Sequence, residues 1–314
     1  VAQVSCLGVA VLDALSGPLE RYPTPRVDTQ VVTERLVIAP GGGAANTASA
    51  LARMGLSAAL FSKIGEDAAG AFLLRQLADC GVDTTGVCVS QHDATPFTFV
   101  GVHPGGDRTF IHTPGANRTL SLTDLDTDAL LASAWLVYQD FWVLPGIDGE
   151  SGAALLADAR RRGVVTLLDE CWGLGPDREA WELMLPHCDY ALPSLDDMQA
   201  IYPGASAEEV ADVLLARGAR AAVIKMGARG CLVATPSMRA RVPALPASVV
   251  DATGAGDCWD AGFVAGLIEG RDVVAAARIG NACAAFCLEA MGAAVNIPPY
   301  ADVARRAGLL AEEG

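Results

Sequence analysis

The apolar positions open the chain as an unbroken run, Val4 to Leu12, which reads as a strand buried on both faces and closed by Asp13. A Pro-rich crossing follows (Pro18, Pro23, Pro25), then a β-branched segment from Gln30 to Ile38, and Gly41-Gly42-Gly43 breaks the strand pattern. Behind the glycines Ala44 to Met54 has helix-forming composition, Ala58 to Ile64 reads as a strand, and Ala68 to Asp79 as an amphipathic helix closed by Gly81. The order so far is strand, helix, strand, helix. Pro96 to His112 departs from it, because apolar and polar residues alternate about Pro104-Gly105-Gly106-Asp107. That alternation predicts a hairpin with one solvated face, outside any parallel sheet.

From Asp124 the alternation resumes, with strands near Trp135 to Asp140, Val164 to Asp169, Tyr190 to Pro193 and Ala221 to Met226. Helical stretches such as Ser151 to Arg162 and Ala207 to Arg217 separate them, and Gly256 to Ala290 and Tyr300 to Glu313 are helical by composition. The pattern predicts an α/β fold with a doubly wound, mostly parallel sheet and helices on both faces. Residues 1–13, 40–93 and 115–314 form the expected core, and 14–39 with 94–114 are β-like insertions that together predict a small β-sheet lid. An exposed lid sheet needs a cover for its apolar face, so a homodimer joined through the lids is expected.

Composition narrows the function. A chain of 314 residues, 52% hydrophobic and 19% charged, buries a large core, which excludes disorder. Against 37 acidic residues stand 22 basic ones, a net charge of -15, and the only lysines are Lys63 and Lys225. A binder of phosphate backbones needs a basic field, so no nucleic-acid partner is expected. The 9 cysteines include no C-x-x-C pair and read as buried, reduced thiols. No basic segment followed by an apolar one opens the sequence, and the longest apolar stretch, Ala282 to Val295, is broken by Glu289 and too short for a bilayer. A cytoplasmic location without membrane contact is the expectation.

Three segments could carry chemistry. Asp251-Ala252-Thr253-Gly254-Ala255-Gly256-Asp257 places a small-residue turn at a helix start, where free N–H groups and the helix dipole favour a phosphate. Gly254 and Gly256 let the backbone approach an anion closely. Asp257 is repelled by a phosphate unless it has work there. It reads either as a general base that accepts the proton of an attacking hydroxyl or as a helix cap. Gly41-Gly42-Gly43-Ala44-Ala45-Asn46 is a second glycine turn entering a helix, with neither G-x-G-x-x-G nor Walker A spacing. With Asp13, Asn46 could bind a polyol, the carboxylate accepting from hydroxyls and the amide both donating and accepting; a polar helix start is the alternative. Lys225-Met226-Gly227-Ala228-Arg229-Gly230 follows a buried strand, and Lys225 reads as a nucleotide-phosphate contact or as part of a solvated hairpin end.

Jointly these segments resemble the ribokinase, or PfkB, family of carbohydrate and nucleoside kinases. Gly41-Gly42 to Asn46, with Lys63-Ile64-Gly65-Glu66-Asp67-Ala68-Ala69-Gly70, resembles the family's first signature, and Asp251 to Asp257 its second, the D-T-x-G-A-G-D run. The resemblance implies ATP-dependent phosphorylation of a hydroxyl of a small sugar or sugar derivative, with Asp257 as catalytic base and the backbone of Gly254, Ala255 and Gly256 as anion hole. It places Asp13, Gly42, Gly43 and Asn46 at the sugar, Lys225, Gly227, Gly230 and Asn281 near the nucleotide, and Gly292 near the adenine. It also makes Asp251 and Thr253 candidates for a monovalent cation such as K⁺. The lid segment Arg108 to Asn117 should contact the substrate, where Arg108 or His112 could read an acidic group.

The departures bear on the metal and the sugar. The second motif reads Asp251-Ala252-Thr253, which keeps a hydroxyl one position along. Where the family has N-x-x-E acting on Mg²⁺ and phosphate, this chain has Ser194-Leu195-Asp196-Asp197. Asp197 is one methylene short and is expected to meet Mg²⁺ through water. Gly43 stands where some ribokinases carry a basic residue. A nucleoside kinase of the same chemistry, or a non-catalytic sensor that keeps the fold to bind a metabolite, are the alternatives.

Overall fold

Two sheets organise the computed structural model, which describes residues 1–17, 19, 30–103, 108–171 and 175–311. The strands are β1 (Val4–Leu7), β2 (Val11–Ser16), β3 (Leu36–Gly41), β4 (Ala58–Gly65), β5 (Val87–Ser90), β6 (Phe97–Val102), β7 (Arg108–Thr113), β8 (Trp135–Phe141), β9 (Val165–Glu170), β10 (Tyr190–Ala191), β11 (Ala221–Lys225), β12 (Cys231–Thr235) and β13 (Met238–Val242). Among the described residues the large sheet has nine strands in the order β13-β12-β11-β10-β9-β8-β1-β4-β5, parallel from β11 to β5, with β12 and β13 antiparallel at one edge. The helices are α1 (Gly43–Arg53), α2 (Ala68–Asp79), α3 (Thr127–Leu130), α4 (Glu150–Arg161), α5 (Arg178–Met184), α6 (Leu195–Met198), α7 (Ala207–Ala216), α8 (Ala255–Ile268), α9 (Val273–Leu288) and α10 (Tyr300–Arg306).

Alternation along each strand splits the core into two layers, since successive side chains leave a sheet on opposite faces. Cys6 of β1, Leu167 of β9 and Val223 of β11 join the apolar residues of α1, α8, α9 and α10 on one face. Their chain neighbours Leu7, Leu168 and Ile224 join those of α4, α5 and α7 on the other. Helices therefore cover both faces, as the apolar pattern predicts. Local signals fix the helix starts: Asp67 caps α2 by accepting from Gly70 N at 2.8 Å, and Ser206 with Glu209 forms a reciprocal capping box on α7.

The second sheet has the order β3-β2-β6-β7 and is the expected lid. Its register sorts its two faces. Asp13 lies opposite Ala39 and Thr98, and Thr98 opposite His112, so one face carries a row that includes Asp13, Thr98 and His112. Ala14 lies opposite Ile38 and Phe99, and Phe99 opposite Ile111, so the other face carries an apolar row.

Several expectations are corrected here. The run Val4 to Leu12 is not one strand: β1 ends at Leu7, the chain leaves the large sheet, and β2 enters the lid at Val11. Every residue of both strands is buried, so the apolar run carried no sign of the break. Asp13 consequently sits inside a lid strand rather than at the end of the first core strand, and the lid takes in residues 11–13 and 40–41 as well as its expected segments. The β-branched stretch contributes only from Leu36, and Gly41, the first of the three glycines, still belongs to β3. The edge strands β5, β12 and β13 were not anticipated. Residues 231–242, following the glycine turn after Lys225, are a hairpin whose outer strand leaves Arg239 and Arg241 exposed. Pro18, Pro23, Pro25 and the hairpin tip 104–107 lie outside the described residues. All 9 cysteines are free thiols, and among the described residues no helix is long and apolar enough to cross a membrane.

Candidate active site

The two glycine turns meet at one place. Asn46, in the first turns of α1, donates from Nδ2 to Asp257 Oδ2 at 2.7 Å, and Thr47 Oγ1 donates to the Asp257 carbonyl at 2.9 Å. Asp257 sits in the first turn of α8, which begins at Gly254 in the left-handed conformation (φ 74°) with no side-chain cap. The first N–H groups of that helix thus have no N-cap side chain as partner, and Asp257 lies in the turn at the positive end of the helix dipole. Burial raises the Asp257 carboxyl above the usual carboxylate range, while the Asn46 bond, Lys225 and Arg108 pull the other way.

The glycines are dictated by crowding. A Cβ on Gly41 would lie 2.0 Å from Asp13 Oδ2, one on Gly42 2.4 Å from the Val9 carbonyl, and one on Gly43 2.6 Å from Asp140 Oδ1. On the other turn, a Cβ on Gly254 would lie 2.2 Å from the Ala293 Cβ and 3.2 Å from Asn46 Nδ2.

Asp13 reaches the site from the lid. Burial, with a smaller contribution from the charges of Asp257 and Asp251, pushes its carboxyl up to about 7 against a hydrogen bond from Thr98. Thr98 Oγ1 lies 3.0 Å from His112 Nδ1, which continues the polar row. Arg108 stacks over the Phe110 ring at 5.5 Å from its centroid and acts on the charge of Asp257.

Asp140 was missed by the sequence reading. It is the last residue but one of β8, at positive φ (61°), and accepts from the N–H groups of Val9 at 2.7 Å, Gly43 at 3.0 Å and Ala44 at 3.1 Å. It therefore pins the start of α1 to the crossing between β1 and β2. Burial, then Asp257, pushes it up to about 7 despite those donors.

Lys225 lies under the glycine turn that opens α8: its Nζ would be 3.7 Å from a Cβ on Gly256. Its ammonium is held by Asp169 Oδ2 at 2.7 Å and Asp260 Oδ1 at 3.2 Å, and Gln139 donates to Asp260 Oδ2 at 3.1 Å. Burial favours the neutral amine, but the two carboxylates outweigh it and hold Lys225 above its ordinary range. Asn281 spends its amide on the Pro243 carbonyl at 2.9 Å and on Trp259 Nε1 at 2.8 Å, which ties α9 to α8 and to the end of β13. Gly227 and Gly230 flank the turn after β11. Asp251 accepts from Thr253 N and Oγ1 at 2.9 and 2.7 Å and from Gly292 N at 3.0 Å, so these three residues brace the loop before α8. Ser194 Oγ donates to Asp197 Oδ2 at 2.5 Å, and the Ser194 N–H donates to Glu170 Oε1 at 2.9 Å. Glu170, Asp169 and Asp260 had no local signal in the sequence: the first two end a strand that otherwise reads as apolar, and Asp260 lies in an apolar helix.

A profile of the "pfkB family carbohydrate kinase" matches residues 2–299. A ribokinase of Haemophilus influenzae is 28% identical over 267 residues, 83% of this chain and 85% of that protein. A probable fructokinase-5 of Arabidopsis thaliana is 27% identical over 280 residues, 84% and 86% of the two chains. The structure of an Arabidopsis thaliana ribokinase complexed with ribose and ATP superposes with a TM-score of 0.81 at 23% identity and covers 98% of each chain. With the two glycine turns joined through Asn46 and Asp257 and a four-stranded lid over them, the chain belongs to the pfkB family of carbohydrate kinases.

Proposed function

We propose that this protein transfers the terminal phosphoryl group of ATP to a hydroxyl of a small sugar or sugar derivative, with Asp257 as general base and the Gly254–Gly256 backbone as anion hole. The observation that carries the reading is the half-buried Asp257 carboxylate, oriented by Asn46 at 2.7 Å and set in the uncapped first turn of α8. Asp13 and Asn46 would accept from and donate to the sugar's hydroxyls, while Asp140 keeps Gly43 and Ala44 in place behind them. Asp257 takes the proton of the attacking hydroxyl as its oxygen bonds phosphorus and the bond to the ADP oxygen breaks. The first-turn N–H groups of α8 take up charge on the transferred group, a contribution worth about 10²–10³ in rate for a single donor in comparable sites. ATP supplies the phosphoryl group, and Mg²⁺ offsets phosphate charge in a protein whose own net charge is -15.

The kinase named for ribose and the one named for fructose are similar to this chain at nearly the same identity, which supports a sugar acceptor and leaves the particular sugar to experiment. The test is a coupled assay of ADP formation with Mg²⁺ and ATP against neutral sugars, sugar acids, sugar phosphates and nucleosides. Turnover with a sugar, abolished in Asp257→Asn, is the expected result. Sugar binding without turnover of any compound would favour the sensor reading, and turnover with nucleosides alone the nucleoside-kinase reading.

A further inference from the structure

Glu170 ends β9 at the carboxyl edge of the parallel strands, where open α/β sheets bind their ligands. Its Oε1 accepts from Ser194 N at 2.9 Å, whereas Oε2 is buried and has no hydrogen-bond partner among the described residues. Asp169 repeats the pattern: Oδ2 holds Lys225 at 2.7 Å and Oδ1 is buried without a partner. Asp169, Glu170 and Asp260 are each at most 7% exposed, and among the described residues Lys225 is the cation paired within this set. The group is short of positive charge.

An unpaired buried acceptor of this kind is costly, the more so when it carries charge. Protonation alone leaves Oε2 as an O–H in need of an acceptor, whereas a hard divalent cation satisfies it outright. Glu170 is also aimed at the right neighbourhood. Ser194 binds Glu170 through its N–H and Asp197 through its hydroxyl, so the two carboxylates converge on one residue. Ser194 in turn pairs with Lys225, whose ammonium underlies Gly256 of the glycine turn that opens α8.

We propose that Glu170, together with Asp197, holds the divalent cation that accompanies the nucleotide, supplying the reach that the shortened Asp197 lacks. The assignment rests on the kinase reading. Among the described residues no group of three or more His, Cys, Asp or Glu is arranged to hold a metal ion. Two carboxylates with the remaining positions left to nucleotide phosphates and water is the arrangement Mg²⁺ ordinarily takes.

The experiment is the affinity of Mn²⁺ for the protein–ADP complex, read by electron paramagnetic resonance of free Mn²⁺, for the wild type, Glu170→Gln, Asp197→Asn and the double variant. Gln keeps the acceptor for Ser194 N, and a thermal melt of each variant verifies the fold. Glu170→Gln should weaken Mn²⁺ binding about tenfold, leave sugar affinity unchanged, and weaken it again in the Asp197→Asn background. Unchanged Mn²⁺ affinity in Glu170→Gln overturns the assignment. So does an effect that vanishes when Asp197 is already Asn, because Glu170 would then act only by positioning Asp197. A wild type that binds no ADP overturns the kinase reading and this assignment with it, whereas one that binds ADP and Mn²⁺ but ignores Glu170→Gln overturns the assignment alone.

Discussion

Asp257 lies close enough to Asp13 and Asp140 to disfavour charge on both, and different donors hold each of the three in place. Asp257→Asn keeps an oxygen for Asn46 Nδ2 and removes the base, so folding and ATP affinity should persist while phosphoryl transfer falls about 10²–10⁴-fold. Unchanged kcat would remove Asp257 from the mechanism. Asp13 and Asp140 make a separate prediction through pH. Each has a folded pKa of about 7 against an ordinary value of 3.8, so each binds its proton more tightly in the folded state. Such a group adds stability that is full below its unfolded pKa and is lost as pH rises through the folded pKa. The melting temperature should therefore fall from about pH 4 to about pH 7. Asp13→Asn should flatten that fall while weakening sugar binding about 10- to 100-fold, the size expected for hydrogen bonds to a charged group. Melting curves over the pH range and sugar titrations of the same variant check both halves. A pH slope identical to the wild type's would show that Asp13 does not titrate in this window.

At the scale of elements, α1 and α8 face each other through their first turns, and the contact depends on Gly254. Its φ of 74° and the Ala293 Cβ at 2.2 Å from any added Cβ leave no room for a side chain. Gly254→Ala should cost about 1–3 kcal/mol in a denaturant titration and, on the proposed mechanism, lower kcat about 10²-fold as the first N–H groups of α8 move. A variant that loses stability at full kcat would show that the turn is structural only. Much of this was legible in the sequence because the signals are local. Asp67, Ser206 and Glu209 announce their helix starts within four residues, and the glycine turns announce theirs. The break between β1 and β2 was not legible, because both sides of it are buried and an apolar run looks the same whichever sheet it enters. Asp140 was invisible for another reason: its donors Val9 and Gly43 lie 131 and 97 residues away along the chain, so no spacing marks it. Lys225 was legible as a candidate behind a buried strand, but a sequence cannot reveal that Asp169 and Asp260 hold its charge.

At the scale of the molecule the lid has two unlike faces. The polar row of Asp13, Thr98 and His112 includes Asp13, which faces the charge of Asp257. The opposite face carries Ile38, Ala14, Phe99 and Ile111 side by side across all four strands; Ile38 is 48% and Ile111 61% exposed, with Leu36 beside them at 56%. Single exposed apolar residues need no explanation, but a continuous row across a small sheet calls for a cover. A second lid offers one of the same shape and chemistry, and a two-fold contact is the commonest way such a surface is closed. We therefore expect a homodimer through this face, seen as twice the chain mass by light scattering at micromolar concentration. Ile38→Asp with Ile111→Asp should yield a monomer. Both side chains are exposed in the single chain, so each substitution should change its stability by no more than about 0.5 kcal/mol. Asp257 and Asn46 remain intact in that monomer, so kcat should be the less affected quantity. The sugar KM should rise, because Asp13 is carried on a lid strand that has lost its support. A wild-type monomer, or a double variant that stays dimeric, would place the contact elsewhere or remove it. A monomeric variant with unchanged KM would show that the lid closes over its own sugar without help from a partner.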